Sequence, residues 1–160
     1  MIGLILNPII PTSVAAGYNK LFPKKKGQYE TGGGANCVNT PAFAELVKLP
    51  AGKIVGNIDL GARALLTTHH SVLAAPYHRN QGNFTAYDIL MTKTDVALAK
   101  LHSNNVQYVA YCRKSAEIGN MERESPNGLI ADLRKGNVPD YLKPIPTPPK
   151  SDVIAYSVVK

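Results

Sequence analysis

The chain has no tryptophan, and aromatic residues make up only 7% of its 160 positions. A broad base-stacking surface is therefore excluded as an organising feature. Two cysteines are too few for a disulfide-dense miniprotein or a four-cysteine zinc site. No uninterrupted apolar run reaches the ~18–20 residues of an ordinary membrane-spanning helix. Charged residues reach only 18%, while hydrophobic residues reach 44%. That balance supports a packed core rather than a disordered chain. The length fits one domain of ordinary size.

The charge is basic but unevenly placed. Lys20, Lys24, Lys25 and Lys26 account for more than half of the formal net charge of +7. The tyrosines are not interleaved with lysine and arginine, so no nucleic-acid partner is expected. A solvated basic linker and a basic segment beside lipid headgroups both fit the lysines. Before them, residues 1–16 (MIGLILNPIIPTSVAA) are apolar and uncharged, interrupted by Pro8 and Pro11. A signal peptide would carry its basic residues first. Residues 1–26 instead read as the stub of a membrane helix with a basic anchor, or as an apolar arm packed on the domain. Residues 27–36 form a glycine-rich linker. Gly32–Gly34 lack the Gly-Lys-Ser/Thr ending of a phosphate-binding loop.

The folded domain is expected over 37–160. Asn39 or Thr40 is placed to cap a helix with Pro41 in its first turn, and Phe43, Leu46 and Val47 form its apolar stripe. Residues 53–58 and 71–75 read as strands, with a helix between them from Asp59 to Thr67. Residues 77–83 read as a polar loop and 85–91 as a helix. A further helix runs to Leu101, capped by Thr94-Asp95. Residues 106–111 give a third strand, 127–135 a helix closed by Gly136, and 152–159 a last strand after a proline-rich extended stretch. The alternation predicts an α/β domain. Its sheet is small, mixed and partly parallel, with about four strands and flanking helices. The last strand is expected antiparallel at an edge.

The cysteines stand 75 positions apart, Cys37 before the first helix and Cys112 at the end of the third strand. Spacing alone leaves several states open. These are two reduced thiols, a disulfide in an oxidising compartment, a zinc pair with His69 or His78, or a reactive Cys112 beside Arg113 and Lys114. His69 and His70 would point to opposite faces of an extended chain, which argues against one shared metal.

The most unusual residues lie between Asp59 and Asn83. In an open α/β sheet, ligands bind beyond the carboxyl ends of the strands. Asp59 follows the first strand; Tyr77, His78, Arg79 and Asn80 follow the second. If those strands are parallel neighbours, both groups share one edge. Arg79 offers a planar donor fork for phosphate or carboxylate, and His78 can donate, accept or carry charge. These five residues are the candidate ligand-binding set. Structural bridging of the strand ends is the competing reading. No catalytic set, metal or cofactor is expected. Asn83-Phe84-Thr85 also fits the glycosylation acceptor pattern.

The run IVGNIDLGARALLTTHHSVLAAPYHRNQGN, with Cys37 upstream and VQYVAYC, SPNGLIADLRKGNVPDYLKPIP and the closing strand downstream, carries a resemblance. It resembles the C-terminal soluble domain of large bacterial polytopic membrane proteins that look like C-type membrane glycosyltransferases, which use lipid-phosphate sugars. The likeness spans Cys37 to Lys160, and Pro76–Asn80 is its most specific part. It implies a non-catalytic domain in the periplasm, associated with the membrane portion of a parent protein that holds the catalytic carboxylates. It also implies a Cys37–Cys112 disulfide and contact with an anionic sugar or lipid-phosphate. The Lys24–Lys26 run departs from it, because basic segments favour the cytoplasmic side. Two other classes compete: a free-standing small hydrolase or phosphotransferase using His78 or His69, and a purely structural partner-binding module.

Overall fold

The structure, a computed structural model, describes Cys37 and residues 40–159. The apolar stub, the lysine run, the glycine linker and Asn39 lie outside the described residues. Five strands form one sheet in the order β2-β1-β3-β5-β4. They are β1 (Lys53–Val55), β2 (Ser71–Val72), β3 (Tyr108–Cys112), β4 (Leu142–Ile145) and β5 (Val153–Val158). The α-helices are α1 (Ile58–Thr67), α2 (Gln81–Met91), α3 (Thr94–Ser103), α4 (Ala116–Glu124) and α5 (Leu129–Lys135). β1 runs parallel to both β2 and β3, and β5 runs antiparallel to β3 and β4. The sheet is thus mixed and partly parallel, as the alternation predicted.

The strands' two-residue period divides the core in two. Ile54, Tyr108, Ala110, Val153 and Ala155 face one layer with Phe43, Leu46 and Leu60. Val55, Val109, Tyr111 and Tyr156 face the other, with Ile89, Leu101, Ile118 and Leu129. α1 therefore covers one face and α2–α5 the other. From β1 the chain steps outward to β2, then returns past β1 to β3. Right-handed crossovers in opposite directions require helices on opposite faces, and that is the arrangement seen.

Several expectations need correction. The sheet has five strands, where about four were expected. The proline-rich stretch supplies β4, which takes the edge and leaves β5 inside the sheet. Pro144 is tolerated in that edge strand because the missing N–H leaves no interior ladder bond unmade. The first helix is replaced by two 3-10 turns, Thr40–Phe43 and Leu46–Lys48. Pro41 contributes no N–H, and Leu49-Pro50 halts the segment before a longer helix can pay for its nucleation. Phe43 and Leu46 still reach the core, whereas Val47 stays 42% exposed. β2 is shorter than expected because the backbone leaves the ladder after Leu73 N–H bonds Ile54 O at 2.9 Å. The cap of α3 is Lys93, with no side-chain bond; the Thr94 hydroxyl bonds Asp132 on α5 instead. Helix α4 was not anticipated, since only Ile118 and Met121 mark its buried side.

Two glycines explain close packing and chain reversal. A Cβ on Gly61 would lie 1.7 Å from Ala74 O, so only glycine lets α1 press against the end of the β2 segment. Gly136 ends α5 at φ 85°, the left-handed cap the sequence predicted.

Candidate functional site

The parallel trio β2-β1-β3 directs three carboxyl ends to one edge. The chain leaving β1 enters α1 on one face; the chains leaving β2 and β3 enter helices on the other. That divergence opens a crevice beyond the strand ends. A cleft of about 400 Å³ lies there, lined by Ile58 after β1 and by Tyr77, Arg79, Asn80, Asn83, Phe84 and Tyr87 after β2. Its size falls within the ~300–1,000 Å³ of ordinary small-molecule sites.

Local hydrogen bonding shapes its wall. Asn80 is the N-cap of α2: its Oδ1 accepts from Gly82 N–H at 3.0 Å. Its Nδ2 donates to Leu73 O at 3.1 Å and to Asn83 Oδ1 at 3.0 Å. Asn83 Oδ1 also accepts from Ala75 N–H at 3.0 Å. The two asparagines thus replace the ladder bonds lost where β2 ends. This starts α2 at Gln81, four residues ahead of the sequence estimate. Only Oδ1 of Asn83 is engaged within this network; its Nδ2, the nitrogen that the Asn83-Phe84-Thr85 acceptor pattern would use, has no partner among the described residues.

Of the five candidate ligand contacts, the structure brings Tyr77, Arg79 and Asn80 into the cleft wall. Tyr77 is 60% exposed, and Arg79 is exposed with its backbone at φ 61°. A left-handed conformation is unfavourable for arginine by roughly 1–2 kcal/mol. His78 and Asp59 share this edge but do not line the cleft. Asp59 occupies the first turn of α1, where a negative charge meets the helix dipole.

Glu117 was missed by the sequence reading. It lies in the first turn of α4, after β3, and its two carboxylate oxygens each accept from Ile58 N–H at 3.1 Å. Applying the strand-end rule to the third strand as well as the first two would have found it. Burial raises its pKa above the ordinary carboxylate range, and nearby Asp59 adds to the rise. Hydrogen bonds from Ile58 and Tyr87 oppose it. Tyr87 is held neutral in turn, by burial first and by Glu117 second. Buried Asn57 also receives the Cys112 N–H on its Oδ1 at 3.0 Å, tying the ends of β1 and β3 together. Its Nδ2 falls short of a full hydrogen bond.

The cysteines form a disulfide, Cys37–Cys112, with Cα atoms 5.7 Å apart. It consumes both thiols and thereby overturns the zinc and reactive-thiol alternatives. The adjacent histidines also have structural partners. Gly52 N–H donates to His70 Nδ1 at 3.2 Å, which leaves His70 Nε2 to donate to Leu46 O at 2.7 Å. His69 Nε2 bonds Leu49 O at 2.9 Å. Both rings hold the 3-10 segment at the amino end of β2, away from the cleft. They do not diverge as extended residues would; their centroids are 4.6 Å apart, because residues 68–70 lie before the strand begins. No helix among the described residues is long and apolar enough to cross a membrane.

No family model and no curated protein matches the chain. Among solved structures it is similar to the C-terminal globular domain of an oligosaccharyltransferase from Archaeoglobus fulgidus. The TM-score is 0.52 at 12% identity, covering 69% of this chain and 86% of the other. The two share a fold, that of an α/β globular domain.

Proposed function

We propose that residues 37–160 form a non-catalytic, extracytoplasmic domain of a glycosyltransferase-like integral membrane protein, with the cleft beyond β2 contacting an anionic sugar or lipid-phosphate. The likeness in fold to the oligosaccharyltransferase domain carries this reading. The disulfide supports it, since such bonds persist in oxidising compartments. The apolar and basic residues before the domain support attachment to a membrane. The membrane portion of the parent is the partner, and the chemistry belongs to that portion.

A reporter enzyme active only outside the cytoplasm, fused after Lys160 in the parent reading frame, tests the placement. Reporter activity is expected, together with a nonreducing mass showing both thiols oxidised. A silent reporter with free thiols would overturn the proposal.

A further inference from the structure

We infer that the cleft takes an acidic pyranose, a sugar ring bearing one carboxylate, with its ring face against Tyr77 and Phe84 and its anion on Arg79. The inference rests on the ligand contact proposed above and names its substrate class.

Phe84 is 74% exposed and Tyr77 60%, and both line the cleft. Exposed aromatic rings that border a cavity of this size offer flat apolar platforms. The C–H face of a pyranose is apolar in the same way, while its rim is all hydroxyl. The polar groups of the wall are matched to that rim. Asn83 Oδ1 is fixed by donors from Ala75 and Asn80. The amide orientation is therefore set, and Asn83 Nδ2 presents its donors without a partner among the described residues. The Tyr77 hydroxyl is a further donor and acceptor.

The charge selects among anions. Arg79 is the one cation lining the cleft, and it forms no ion pair among the described residues. A guanidinium pairs a carboxylate through two parallel N–H bonds. Glu117 and Asp59 stand at the neighbouring end of α1. A phosphate dianion would meet these acids with a single arginine to offset them. A singly charged carboxylate is better balanced. A lipid surface would call for a cluster of lysines and arginines, but the segment 77–87 contains only Arg79 and His78 as basic residues.

The test titrates the full chain, followed by amide chemical shifts, with methyl glucuronide, methyl glucoside, glucose 1-phosphate, inorganic phosphate and vesicles containing phosphatidylglycerol. Methyl glucuronide is expected to shift resonances within 77–87 and to bind about tenfold tighter than the neutral glucoside. Arg79→Ala should abolish that difference, and Phe84→Ala should weaken both sugars alike. Both side chains are exposed, so the variants should keep the wild-type shifts elsewhere. Equal or tighter binding of inorganic phosphate, glucose 1-phosphate or the vesicles would overturn the acidic-sugar inference and leave the anion contact standing. Absence of shifts in 77–87 with every probe would remove both. Neither outcome bears on the extracytoplasmic placement, which the reporter reads independently.

Discussion

At the scale of single residues, the strand-end cluster combines supports and free groups. Asn80 was singled out as a ligand contact; the structure also makes it the cap of α2 and the anchor of the β2 exit. Asn80→Ala should lower stability by about 1–3 kcal/mol, measured by urea unfolding, because a helix cap and buried backbone acceptors lose their partner. Glu117 gives a pH prediction. Its folded pKa is raised, so the unfolded chain releases this proton at lower pH than the native one. Above the unfolded carboxylate value the unfolded state binds fewer protons, and stability from this group falls as pH rises through the folded value. Glu117→Gln keeps an acceptor for Ile58 N–H and carries no charge. Unfolding free energies measured across that window should decline less steeply in the variant. An unchanged slope would show that the carboxyl stays ionised in the fold.

At the scale of elements, close backbone contact decides what periodicity leaves open. A helix over Asp59 to Thr67 is legible in the sequence, yet the seating of α1 depends on Gly61, over which Ala74 O lies. Gly61→Ala should cost about 1–3 kcal/mol or more, read as a lowered melting temperature, because helix and strand must separate to admit the methyl group. A near-neutral result would mean that the helix shifts freely. β3 was legible because its five residues are all buried and Tyr108, Val109 and Tyr111 favour strands. The 3-10 segment and α4 were poorly legible. One is held by His69 and His70 from a distant part of the chain, and the other buries only Ile118 and Met121. Tertiary contacts, not local pattern, set both.

For the whole molecule, the disulfide joins the entrance of the domain to its central strand. Cys37→Ser with Cys112→Ser should lower stability by about 2–4 kcal/mol, seen as a lower denaturation midpoint, through the freedom restored to a long loop in the unfolded chain. No loss relative to the oxidised protein would show that the first segment contributes little to the fold. The sheet order also unites the site. Parallel pairing of β1 with both β2 and β3 brings Ile58, the 77–87 segment and Glu117 to one edge from positions far apart in sequence.

The sequence by itself determined the α/β class, the strand-to-helix alternation and the closure of α5 at Gly136, since these follow from periodicity, capping and turn chemistry that act over a few positions. Only the tertiary structure decided that β4 shields β5, that the two cysteines meet, that His69 and His70 brace a 3-10 segment, and that Glu117 joins the cleft region. Each of these depends on which distant segments the sheet order sets side by side, and local spacing carries no record of that pairing.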